Sequence, residues 1–95
     1  MLMKITINTT IHRNNEILTS NIDDEKVMMS IQYGEYYGLG KTGSFIWDTI
    51  EIPIKVSELL ELIVQKYDVE KEKCLDEIIP FLNDLLEKEL IIATN

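Results

Sequence analysis

Hydrophobic and polar positions follow two different periods along this chain, changing near residue 40. Before that point the pattern is short and strand-like. Glu16 to Ser20 alternates weakly and predicts a short strand, followed by a polar, acidic turn from Asn21 to Glu25. Val27-Met28-Met29-Ser30-Ile31 predicts a second strand with Val27, Met29 and Ile31 sharing one face. Gln32-Tyr33-Gly34 supplies a tight turn with a glycine available for positive φ. Glu35-Tyr36-Tyr37-Gly38-Leu39 is a third strand, rich in aromatic β-formers. Tyr37 and Leu39 share parity and point to the core, leaving Tyr36 on the opposite face. The spacing fits a three-stranded meander. Upstream, Met3 to Ile11 alternates through Ile5, Ile7 and Ile11 and fits either an extra strand or a loose arm. Residues 1–15 are therefore set apart from the domain expected over 16–95.

From Lys41 the period becomes helical. A short helix starts at Thr42 or Gly43 and carries Phe45, Ile46, Trp47 and Ile50, until Pro53 stops it and forces Ile52 to be extended. A second helix is expected from about Ser57, a candidate N-cap, to Tyr67, with Leu59, Leu60, Leu62, Ile63 and Tyr67 as its apolar face. Asp68 is a cap or turn residue. A third helix is expected from near Glu70 to near Glu89, with acids in its first turn and a core stripe of Leu75, Ile78, Leu82, Leu85 and Leu86. Pro80 lies inside this run and lacks an amide hydrogen. It either bends the helix, at roughly 3 kcal/mol, or divides it in two. Leu90-Ile91-Ile92 closes the pattern as an apolar tail. Three short strands followed by three helices make an α+β domain, with winged-helix-like packing the natural way to cover one sheet face.

Composition narrows the function. Ninety-five residues suffice for one domain, and 45 % hydrophobic content supports a packed core rather than a disordered chain. Seventeen acidic against nine basic residues give a net charge of −8, the wrong sign for a phosphate-binding surface. No apolar run approaches the roughly 20 residues that span a bilayer, and no signal-type stretch is present. The expectation is a cytoplasmic domain that uses neither nucleic acid nor membrane.

Catalytic residues are few. His12 and Cys74 are single copies, in a polar stretch and in a helical pattern respectively. A thiol nucleophile needs a base and an orienting group, and zinc needs about four ligands. The acids of Asp23-Asp24-Glu25 and Glu70-Lys71-Glu72 lack calcium-loop spacing, and Gly38-Leu39-Gly40-Lys41-Thr42-Gly43 lacks the spacing of a phosphate-binding loop. No cofactor is expected, and an enzyme acting alone is disfavoured.

An ordered series of residues does point to a family. It comprises Gly34-Glu35-Tyr36-Tyr37-Gly38-Leu39, then Gly43-Ser44-Phe45-Ile46-Trp47, then Val56-Ser57-Glu58-Leu59 leading to Tyr67-Asp68-Val69. It ends with Asp76, Phe81-Leu82, Leu85 and Glu89-Leu90-Ile91. This stretch resembles the coenzyme PQQ synthesis protein D family, the PqqD-like RiPP recognition elements, which are small winged-helix domains that bind leader segments of ribosomally made precursor peptides. The Tyr-x-Leu followed by Gly-x-x-Ile-Trp most resembles the stand-alone recognition proteins of lasso peptide clusters. Gly40 stands where the family often has Asn. Glu89 stands where a Gly commonly precedes Leu-Ile, removing an easy helix C-cap.

The resemblance implies that a precursor leader of Tyr-x-x-Pro type adds as a strand to the edge of the third strand, with the third helix as the opposite wall. It also implies a separate cysteine leader peptidase and an ATP-dependent macrocyclase as partners. Candidate lining residues are Tyr33, Tyr36, Tyr37, Cys74, Ile78 and Phe81, with Glu35, Asp76 and Glu77 placed to meet basic leader residues, which the net charge also attracts. By parity and stripe position Tyr37, Leu39 and Ile78 also fit the core, Trp47 is a core anchor, and Cys74 fits as a small packing residue. Tyr36, large and off the core face of an edge strand, has no such internal reason. Alternatives are a recognition element for another modifying enzyme such as a radical SAM protein, a winged-helix regulator, or a thiol enzyme resting on Cys74. An exposed sheet edge allows a monomer or an edge-paired dimer.

Overall fold

A computed structural model describes residues 4–22, 25–30 and 34–94. The expectations for Met3, for the Asp23-Asp24 part of the turn, for Ile31 and for Gln32-Tyr33 fall outside the described residues. The elements run β1 (Thr10–Arg13), β2 (Ile17–Ile22), β3 (Glu25–Ser30), β4 (Glu35–Gly38), α1 (Lys41–Thr49), β5 (Ile54–Lys55), α2 (Val56–Tyr67), α3 (Lys71–Glu87) and β6 (Ile91–Thr94). The α+β expectation holds: the antiparallel meander β2-β3-β4 is followed by three helices. Gly34 has φ +66°, the left-handed value for which the turn needs a glycine.

A second sheet, of order β5-β1-β6, was not foreseen. Its central strand is β1, which pairs with β6 from Arg13↔Ile91 to Thr10↔Thr94 and with β5 through Ile11↔Ile54. Thus the apolar tail expected at Leu90-Ile91-Ile92 leads into a strand. Leu90 and Ile91 are buried, and β6 takes its backbone partners from β1.

Register corrects the orientation of β3. Met28 pairs with Tyr37, and paired residues share a face, so Met28 and Ser30 turn inward while Val27 and Met29 share the outer face. Met28 is fully buried.

The α2 N-terminus also differs from expectation. The helix starts at Val56, its cap position is Lys55, and Ser57 lies in the first turn. No side chain caps it. The amides of Val56 and Ser57 instead donate to the carbonyls of Thr9 (2.9 Å) and Ile7 (3.0 Å), so the segment before β1 supplies the acceptors. Val56, Leu59, Leu60 and Ile63 are buried, and Leu62 is not. Asp68 ends the helix in the left-handed conformation.

α3 is one helix with Pro80 inside it, not two. Its buried stripe is Cys74, Ile78, Leu82 and Leu85, so Cys74 takes the place expected for Leu75. The helix stops at Glu87, earlier than expected. Glu89 adopts φ +60°, and its amide donates to Leu86 O (3.0 Å) while that of Leu90 donates to Leu85 O (2.9 Å). That pair of bonds is a Schellman cap, completed without glycine. Trp47, 1 % exposed, anchors the core with the Arg13 guanidinium 5.3 Å from its ring.

Candidate functional site

One wall of the site is an edge strand. Sheet order makes β4 the margin of the meander. The Leu39 amide donates to the Lys26 carbonyl (2.8 Å), which continues the register Met28↔Tyr37 and Ser30↔Glu35. Odd-numbered residues therefore aim their main-chain groups at β3, and Tyr36 and Gly38 aim theirs outward. Among the described residues no strand is paired to that outer edge.

The other wall is α3, held beside β4 at two points. At one end the Lys88 ammonium sits 5.0 Å from the Tyr37 ring. At the other, Phe81 and Leu39 close on Gly43 of α1, where an added Cβ would lie 3.3 Å from both the Phe81 Cζ and the Leu39 Cβ. The glycine permits this approach because it has no side chain. With Phe81 near the Leu39 end and Lys88, the C-cap residue, near Tyr37, α3 runs opposite to β4.

Beside Gly43 and Phe81 opens a cavity of about 530 Å³. Its walls come from Ile46 of α1, Ile63 and Tyr67 of α2, and Cys74, Ile78 and Phe81 of α3, with exposed Glu70, Lys73 and Glu77 beside them. Such a lining favours an apolar or aromatic side chain with a positive charge nearby. At the Glu35 end a smaller hollow of about 340 Å³ is lined by Glu35, Tyr37, Asp84, Glu87 and Lys88. There the Tyr37 hydroxyl donates to Glu35 Oε2 (2.6 Å), and Lys88 Nζ is 2.7 Å from Asp84 Oδ2.

The candidates named from sequence thus separate. Cys74, Glu77, Ile78 and Phe81 meet at the large cavity, and Glu35 and Tyr37 at the small one. Tyr36 stands on the far face of the sheet, 71 % exposed, and Asp76 is exposed on α3, lining neither hollow. Tyr33 lies outside the described residues. Sequence reasoning missed Gly43, Ile46, Ile63, Tyr67 and Val69, all on the cavity wall. Val69, an apolar residue just past the α2 break and 42 % exposed, was the available signal.

The geometry gives little for covalent chemistry. Burial, and then the Glu77 carboxylate, push the Cys74 thiol up from its ordinary value, opposite to the shift that activates a nucleophile. His12 lies on β1, its Nδ1 3.0 Å from the Arg13 carbonyl oxygen. Among the described residues no group of His, Cys, Asp and Glu is arranged to hold a metal ion, and no helix is long and apolar enough to cross a membrane.

Comparison with known proteins agrees with this architecture. No curated protein sequence matches the chain. The chain is similar to the solved structure of TbiB1 in complex with the TbiA(beta) leader peptide, at 31 % identity and a TM-score of 0.77, over 84 % of this chain and 93 % of that one. The family model for coenzyme PQQ synthesis protein D matches residues 25–91, from the start of β3 into β6. With that span including the edge strand, all three helices and both hollows, the chain belongs to the coenzyme PQQ synthesis protein D (PqqD) family.

Proposed function

We propose that this protein binds the leader segment of a ribosomally made precursor peptide and acts by presenting it, without catalysis of its own. The leader adds as a strand to the outer edge of β4, with α3 as the facing wall. The outward-facing main-chain groups of Tyr36 and Gly38, on an unpaired edge, carry this reading, together with an apolar cavity that Phe81 of α3 lines. The similarity to TbiB1, solved with a leader peptide, supports it. Main-chain bonds supply register and the cavity supplies choice: a Tyr-x-x-Pro leader has a ring and a pyrrolidine to fill it. The acids at both ends, and the net charge of −8, favour a leader with basic residues. In the lasso-type setting the recipients are a cysteine leader peptidase and an ATP-dependent macrocyclase.

Fluorescence anisotropy of a labelled synthetic leader containing Tyr-x-x-Pro tests this. Binding is expected in the sub-micromolar to micromolar range. Phe81→Ala is expected to weaken it about tenfold, as for an aromatic contact at an interface centre. No binding to any leader encoded near the gene overturns the proposal.

A further inference from the structure

The outer face of the meander carries an exposed row of side chains beside an open glycine position, on the side of the sheet away from α3. Leu18, Met29 and Tyr36 form a row across β2, β3 and β4 through the pairs Leu18↔Met29 and Met29↔Tyr36. The row points away from the core, with Leu18 53 % and Tyr36 71 % exposed. The next row is Ser20, Val27 and Gly38. At its edge Gly38 has no side chain, and a Cβ built there meets nothing within 4 Å. Gly38 thus leaves open space on this face, opposite its register partner Val27 and two residues along the strand from the exposed Tyr36.

Strand geometry joins this open position to any peptide bound at β4. Because Tyr36 and Gly38 aim their main-chain groups outward, an added strand bonds to them, and its alternate residues point to the α3 side and to the outer side. The peptide residue beside Gly38 faces outward. No opposing side chain limits its size, and the Tyr36 ring is its diagonal neighbour within reach of a long or branched side chain. Covering an edge glycine with such a side chain buries exposed aromatic surface and shields the backbone. A small or charged residue there does neither.

On the strength of the leader-binding reading, we propose that Tyr36, Gly38 and Val27 form a second specificity subsite, taking one β-branched or aromatic peptide side chain that points away from α3. Tyr36 then selects sequence by its side chain as well as setting register by its backbone.

A double-mutant cycle tests this with the labelled synthetic Tyr-x-x-Pro leader and a set of variants in which each residue in turn is Ala, Val or Phe. On the wild-type protein one outward-facing position is expected to prefer Val or Phe over Ala by about three- to tenfold in Kd. On Tyr36→Ala that preference is expected to vanish. Gly38→Val places a side chain opposite that peptide position and is expected to reduce the preference for Phe over Ala there by a similar factor. Its melting temperature is expected not to fall, since the new side chain has open space and suits a strand. If the leader binds but every outward position gives the same Ala, Val and Phe ratios on both proteins, the subsite is overturned and leader binding stands. If the leader fails to bind the wild type, both fall.

Discussion

Replacing Glu89 by glycine separates backbone strain from side-chain contacts at the end of α3. Glu89 holds φ +60° so that its amide and that of Leu90 can close the cap on Leu86 and Leu85. A residue with a Cβ spends roughly 1–2 kcal/mol in that region, because the Cβ crowds the carbonyl oxygen. Glycine is free of that cost but loses about 0.5–1 kcal/mol more chain entropy on folding. The balance favours Glu89→Gly by about 0.7 kcal/mol, a rise in melting temperature of roughly 3–6 °C for a domain of this size. Glu89→Ala is the control: it removes the carboxylate and keeps the Cβ, so it reports what the side chain contributes. The Glu89 carbonyl, which accepts a bond from the Asn14 side-chain amide (2.8 Å), is retained in both. Thermal unfolding followed by circular dichroism measures all three proteins. If Glu89→Gly is no more stable than Glu89→Ala, the left-handed backbone is not where strain is held.

Two further outcomes follow from the core. Leu82 is fully buried on α3, so Leu82→Ala is expected to cost about 3 kcal/mol in urea unfolding, out of roughly 5–15 kcal/mol for the whole domain, and a loss below about 1 kcal/mol contradicts its core position. Cys74 has its thiol pushed above the ordinary 9.0 by burial, so the fold prefers the neutral form. Its stabilisation is complete below pH 9.0 and declines as pH rises through the elevated value. Wild type is therefore expected to lose stability relative to Cys74→Ala in alkali, and a flat difference up to about pH 10.5 refutes the shift.

The meander and the helices were legible because each keeps one period long enough to count. Glu35 to Leu39 is rich in aromatic β-formers, and the structure turns Tyr37 and Leu39 inward and Tyr36 outward as parity required. β5 and β6 were not legible. β5 has only two residues, and the pairing of both strands with β1 joins residues far apart in sequence, beyond the reach of a local pattern. The α2 cap was misassigned to Ser57 for a related reason: the acceptors are backbone carbonyls of Thr9 and Ile7, which no local pattern reveals. For the candidate site, the α3 residues emerged from helical spacing, but the cavity's α1 and α2 walls depend on how three helices converge. Gly43 looked like a weak helix start, and its close packing with Phe81 exists only in three dimensions.

The central place of β1 bears on how the chain folds as it is made. Its four residues lie between two strands that follow it, one of them at Ile91–Thr94. At a synthesis rate of roughly 5–20 residues per second, about 4–16 s separate the appearance of β1 from that of β6. During that interval the β2-β3-β4 ladder, built only from sequential neighbours, can form while one flank of β1 has no partner. Completion of the second sheet is thus timed by translation of its last strand, and the edge strand of the site can take shape before the two ends of the fold are joined.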